Sequence, residues 1–190
     1  AEDHPQWGMP YGLPALSDDE YTLLTEWISN GATMSQPDQI PSDLHAQISE
    51  WENYLNDDSL KQQLASRYIF EHLFLANLYF SEDDLFKNIT PTSPPKFYFK
   101  MVRSYTPPGL PIKIVPTRRP YGDPKTDRIY YRIKPVTESI VAKTHIPYRL
   151  NQERLAWMQS LFNEPDYEVT SLPSYDPKVA ANAFVVFEAI

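Results

Sequence analysis

The chain has 190 residues, 42% of them hydrophobic and 22% charged, with a net charge of −8. That is enough for one sizeable domain, or one and a small second piece, and it excludes wholesale disorder. There is no cysteine and no run of 18 apolar residues, which excludes a disulfide framework, a cysteine nucleophile, a thiolate zinc site, covalent c-type haem attachment within this chain and a spanning helix. The 19 prolines, about twice average usage, and the 14% aromatic content describe a loop-rich chain with large aromatic anchors.

Residues 1–16 form a loop rich in proline, glycine and aromatics. Ser17-Asp18-Asp19-Glu20 is a capping box that starts a helix. It runs to about Asn30, with Tyr21, Leu24, Trp27 and Ile28 on one face, and Gly31 ends it. Ser42 is expected to cap a second helix over 43–56, with Leu44, Ile48, Trp51 and Leu55 at helical spacing. Ser59 caps a third, which the pattern carries to about Phe80. Its last thirteen residues, Tyr68 to Phe80, are apolar all round except for Glu71, His72 and Asn77. A helix apolar on every face is buried on every face, so Leu75 is expected in the core.

Beyond Phe80 the pattern changes. Segment 81–96 is a polar, proline-rich loop. Strands are expected over 97–104, 111–115, 128–134 and 139–144, with a turn at Pro107-Pro108-Gly109 and a rigid loop over 117–124. In the 128–134 strand Ile129, Tyr131 and Ile133 face one way. Asn151 caps a last helix over 152–162. Residues 183–190 run apolar to the end like a strand. With no initiator methionine and no signal peptide, the chain is expected to be an internal fragment of a longer protein. Helices first and strands later give an α+β fold. The expected division is a small helical part over 1–36 and an α+β domain with a buried helix and antiparallel strands over 37–190.

Charge is unevenly distributed. Residues 1–95 carry −13, residues 96–154 carry +9 and residues 155–190 carry −4. A basic middle third suits phosphate, a carboxylate or an anionic lipid head group. The alternative is neutralisation by the acidic helices within the fold. Nucleic acid is not indicated, because the bases are not interleaved as in an RNA-binding sheet and the acidic remainder repels a polyanion.

Three sets of residues have chemical potential. The first is Trp7-Gly8-Met9-Pro10-Tyr11-Gly12-Leu13-Pro14, before the helix that closes with Trp27-Ile28 and Gly31-Ala32. A methionine on a rigid loop before such a helix resembles the tail of a class I cytochrome c domain, where the thioether ligates haem iron. The alternative is a gap-filling methionine. The second is Arg67–Phe80, in which Arg67 and Glu71, and Tyr68 and His72, are i,i+4 neighbours; a structural His–Tyr pair is the alternative. The third is the basic set Arg103, Arg118-Arg119 and Lys143-Thr144-His145, beside rigid prolines. Arginine forks suit phosphate and carboxylate.

Together, Trp7–Pro14, Arg67–Phe80, Val102-Arg103-Ser104 with Thr106–Ile112, Thr117–Tyr121 with Asp123-Pro124, and Ile140–His145 with Pro147-Tyr148 resemble the bacterial fatty acid cis/trans isomerase family, in order and over nearly the whole chain. The resemblance implies a middle part of a larger periplasmic protein of membrane adaptation. Its haem c is attached to an upstream segment absent from this chain. Such enzymes turn cis double bonds of phospholipid acyl chains to trans in place, and the iron is thought to withdraw an electron and return it. The resemblance also implies unsaturated acyl chains, the membrane surface and the rest of the parent polypeptide as partners, and a fragment inactive by itself. On this reading Met9 is the axial metal ligand, and Arg103, Arg118 and Arg119 meet haem propionates or lipid phosphate. His72, Glu71 and His145 are the candidate catalytic residues, with Lys143 and Tyr68 toward substrate. The alternative from another class is a non-catalytic cytochrome-like electron-transfer or scaffold module.

Overall fold

The computed structural model describes His4 and residues 15–34, 38–81, 95–137 and 146–190. The chain divides into two compact units, residues 1–38 and residues 39–190.

In the first unit, helix α1 spans Asp18–Ser29. Its start is the expected capping box. Ser17 Oγ accepts from the Glu20 amide at 3.3 Å, and Glu20 Oε2 accepts from the Ser17 amide at 2.8 Å. These bonds to Ser17 hold the Glu20 carboxyl below its ordinary pKa. At the other end Gly31 takes φ 87°. The Ala32 amide donates to Trp27 O at 2.9 Å and the Gly31 amide to Ile28 O at 3.0 Å, a Schellman closure that needs a left-handed residue at this point. No residue of α1 is buried within the described structure. Met9, on which the cytochrome-like comparison turned, lies outside the described residues.

The second unit holds helices α2 (Ser42–Leu55) and α3 (Leu60–Leu73), and strands β1 (Asn77–Phe80), β2 (Phe99–Ser104), β3 (Tyr130–Pro135) and β4 (Pro147–Leu150). Helices α4 (Gln152–Phe162), α5 (Pro177–Ala180) and α6 (Ala183–Val186) complete it. The sheet has the order β3-β2-β1-β4. β2 pairs antiparallel with β1 and β3, but β1 and β4 run parallel. The fold is α+β as expected, and the sheet is mixed rather than wholly antiparallel. The core gathers Trp51 and Leu55 of α2, Ile69 and Phe70 of α3, Leu78, Phe99 and Met101 of the sheet, and Phe162 of α4.

Three sequence expectations are corrected here. Pro41, not Ser42, holds the cap position of α2, and its side chain makes no capping bond. Residues 183–186 are helix, not strand; Asn182 caps them by accepting from the Phe184 amide at 3.2 Å. Only an isolated bridge between Ser104 and Ile114 represents the expected 111–115 strand. The 139–144 strand falls outside the described residues.

The largest correction concerns the third helix. Its start is as expected, with Ser59 Oγ accepting from the Gln62 amide at 3.2 Å, but it ends at Leu73. The Ala76 amide closes a turn onto Leu73 O at 2.9 Å. Lys100 of β2 then binds the Leu75 and Ala76 carbonyls, each at 2.9 Å. Burial lowers the Lys100 pKa. The chain next enters β1, an inner strand with neighbours on both sides. Ladders on two edges satisfy the backbone groups that a continued helix would have paired internally. Leu78 and Tyr79 are buried there, but Leu75 is 68% exposed at the turn. Leu75→Ala is therefore expected to change stability by less than about 0.5 kcal/mol. Urea unfolding checks this, and a loss of about 2 kcal/mol or more would restore the buried-helix reading.

Candidate functional site

Strand alternation puts Phe99, Met101 and Arg103 of β2 on the core side, all of them buried. Arg103 is thus a guanidinium in an apolar layer, 2% exposed, with the Phe70 ring centroid 5.5 Å away. Its polar edges turn to the loop that follows. Nε donates to Thr117 Oγ1 at 3.1 Å and Nη1 to Gly122 O at 2.6 Å. The Gly122 amide closes the turn onto Arg119 O at 2.9 Å. A Cβ at Gly122 would stand 3.2 Å from that same oxygen, so the tight approach favours glycine. Arg103 therefore clamps both ends of the segment bearing Arg118 and Arg119.

Those two arginines are exposed, and among the described residues no ion pair or side-chain hydrogen bond engages either of them. Two other bases of the stretch 96–154 behave differently. Arg132 Nε binds Glu52 Oε2 at 2.8 Å in a buried pair. Arg132 Nη1 also donates to the carbonyls of Pro107 at 2.7 Å and Leu110 at 3.0 Å. Gly109, at φ 86°, lets the Pro107-Pro108-Gly109 turn present those carbonyls. Arg128 reaches Asp58 at 3.0 Å. Internal neutralisation thus accounts for Arg132 and Arg128, whereas Arg118 and Arg119 face solvent as a free pair.

The polar residues of α3 form two sets. Arg67 Nε and Glu71 Oε1 are 2.8 Å apart and nearly buried. Tyr68 stacks on His72 with centroids 3.9 Å apart and also meets Phe162 and Phe187. His72 Nδ1 lies 2.7 Å from Tyr68 O. A carbonyl only accepts, so Nδ1 carries a proton in this contact. The sequence placed His72 and Glu71 together as buried polar groups. Glu71 is largely covered, but His72 is exposed. Lys143 and His145 lie outside the described residues, as does Met9.

Sequence reasoning missed Glu52, Asn56, Tyr131 and Tyr175. Glu52 had a legible signal, because Ile48, Trp51, Glu52 and Leu55 share the buried face of α2, and an acid among those positions demands a buried partner. Glu52 Oε1 accepts from the Ile133 amide at 2.8 Å. Asn56 Oδ1 accepts from the Tyr131 amide at 2.8 Å, and its Nδ2 donates to Tyr131 O at 2.8 Å. The end of α2 therefore covers the outer edge of β3, which would otherwise offer open backbone groups.

Arg67, Tyr131 and Tyr175 line a recess of about 60 Å³, with Leu55, Ile129 and Leu172 as apolar wall. Burial pushes the Tyr131 hydroxyl well above its ordinary pKa, helped by Tyr175 and Glu71 and opposed by Arg103 and Arg67. The recess admits a few waters or one small group and is too small for an acyl chain or a haem.

The chain has no cysteine, and no group of three or more His, Asp or Glu side chains is placed to hold a metal ion among the described residues. Among them, no helix is long and apolar enough to cross a membrane.

Fold and site together define an α+β domain with a clamped arginine loop. The family model described as fatty acid cis/trans isomerase matches residues 1–190. The chain belongs to the fatty acid cis/trans isomerase family, and its activity is the conversion of fatty acyl double bonds between cis and trans. No curated protein and no solved structure matches it.

Proposed function

We propose that this chain is the lipid-facing part of a haem-dependent periplasmic isomerase that converts cis double bonds to trans within membrane phospholipids. The observation that carries the membrane part is the free Arg118-Arg119 pair, exposed on a loop that Arg103 clamps at Thr117 and Gly122. Fixing the loop in advance lowers the ordering cost of binding. Each exposed base near an anionic surface contributes about 1 kcal/mol, decaying over a Debye length of about 8 Å.

Haem c belongs, on this reading, to an upstream segment, with Met9 as its methionine ligand from this chain and His4 as the alternative. A haem would supply one-electron chemistry at a double bond whose rotation is otherwise blocked. Lys143 and His145 are, on this reading, further bases for lipid phosphate. Tyr68, Glu71 and His72 line one side of α3 for substrate contact or catalysis. Arg103 acts on substrate through the loop it holds.

The test uses the full-length protein with vesicles of palmitoleoyl phosphatidylglycerol. Trans acyl chains of unchanged length and bond position should accumulate, as read by gas chromatography of the esters. In Arg118→Gln/Arg119→Gln, vesicle affinity should fall by more than about tenfold, with a shallower salt dependence and an unchanged melting temperature. A lowered melting temperature with vesicle binding intact would assign the pair to the scaffold and remove the membrane reading.

A further inference from the structure

A buried guanidinium is tolerated when its charge and its N–H edges are matched. Arg132 meets that condition, with Glu52 on one edge and carbonyls on another. Arg103 does not, and Arg67 meets it only in part. Arg103, 2% exposed, has only the neutral oxygens of Thr117 and Gly122 and no carboxylate partner among the described residues. Arg67, 4% exposed, gives Nε to Glu71 and Nη1 to Pro173 O at 2.8 Å. The Tyr175 ring covers its guanidinium at 3.9 Å. Its Nη2 is buried with no hydrogen-bond partner. Glu71 thus pairs with Arg67 alone, and among the described residues no carboxylate pairs with Arg103. Arg67 and Tyr131 both line the recess of about 60 Å³. Arg128 and Asp127 line it too, and Arg128 is already paired with Asp58.

We infer that this recess is a subsite for one small oxyanion, a phosphate or carboxylate group, held by Arg67 Nη2 and the Tyr131 hydroxyl. The vacant N–H edge and the small volume fit one such group. The apolar wall of Leu55, Ile129 and Leu172 strengthens the pairing by excluding water. Leu172 and Tyr175, which line the recess, belong to residues 163–176, which form neither helix nor strand. This strap rests on Arg67 through Pro173 O and Tyr175, so displacing Tyr175 would expose Nη2. The subsite is separate from the Arg118-Arg119 loop and does not depend on the membrane reading.

The experiment is titration of the full-length protein, with arginine side chains labelled with nitrogen-15, using inorganic phosphate, acetate and glycerophosphocholine in turn. Chloride holds the ionic strength constant. A saturable shift of the Arg67 Nε resonance is expected with at least one probe. Tyr131→Phe keeps the ring in the core and removes one donor to a charged acceptor, so it should weaken that binding by about tenfold. Acetate selectivity marks a carboxylate subsite, phosphate selectivity a free phosphate site, and glycerophosphocholine binding a lipid head-group site. The inference is overturned if no probe gives a saturable Arg67 shift. It is equally overturned if Tyr131→Phe, with an unchanged melting temperature, binds as wild type does.

Discussion

Glu52→Ala is expected to destabilise the protein by about 3–5 kcal/mol, the usual cost of removing one partner of a buried ion pair. A domain of ordinary stability holds only about 5–15 kcal/mol in total, so a large share of its folding free energy would go. The effect has two sources. Arg132 would lose Glu52, its carboxylate partner among the described residues, while staying buried on its remaining carbonyl contacts. The Ile133 amide on the outer edge of β3 would lose its acceptor as well. Glu52→Gln should cost less, because its amide oxygen can still accept from Ile133. In a double-mutant cycle with Arg132→Met, the combined loss should fall well below the sum of the singles, since an apolar pair leaves no isolated charge. Urea unfolding measures each variant. A Glu52→Ala loss below about 1 kcal/mol, within the range of exposed pairs, would show the pair to be solvated.

Phe70→Ala is expected to cost about 3–5 kcal/mol through lost burial and a residual cavity. Phe70 is buried at the centre of the core. Its ring lies 5.6 Å from that of Phe74 and 5.2 Å from that of Tyr131, and it is one of the contacts of the Arg103 guanidinium. Truncation therefore removes apolar volume beside a buried charge that has only neutral partners. Phe70→Leu retains much of that volume and should recover part of the loss. Denaturant midpoints at constant m-value decide the matter. If alanine and leucine at this position proved equally mild, the core would be shown to close over the gap.

The contrast with Leu75 shows where the sequence runs out. Tyr68 to Phe80 is apolar on all sides except for Glu71, His72 and Asn77, and periodicity cannot distinguish a buried helix from a helix, turn and inner strand in such a run. What separates them is non-local. The carbonyls of the turn are taken by Lys100, and β1 pairs with Phe99 of β2 on one side and with Pro147–Leu150 on the other. None of those partners is adjacent in the chain. The parallel β1–β4 pair was equally hidden, because strand direction depends on how the intervening chain returns.

At the candidate site, local reasoning found the polar groups but not their partners. The Arg67–Glu71 and Tyr68–His72 pairs follow from i,i+4 spacing, and both are present. The Pro107-Pro108-Gly109 turn was read near an anion-binding set, and its carbonyls instead meet Arg132. Glu52 went unnoticed although its position on the α2 face was legible. Tyr175 lies more than one hundred residues from the arginine it covers, and no spacing rule connects them.

By itself the sequence determined the family, the α+β class, the capping box at Ser17 and the glycine closure at Gly31, the Asn151 cap of α4 and the division of charge along the chain. Each of these depends on neighbours within a few residues or on a continuous pattern of residue types. Only the tertiary structure decided which bases are neutralised within the fold and which remain free. Arg132 and Arg118 are the same residue type fourteen positions apart in one basic segment. One is buried on Glu52 and the carbonyls of a turn, and the other stands on a clamped loop facing solvent. The physical reason is that the energy of a charge is set by the dielectric and the partners around it, and packing places both there from distant parts of the chain.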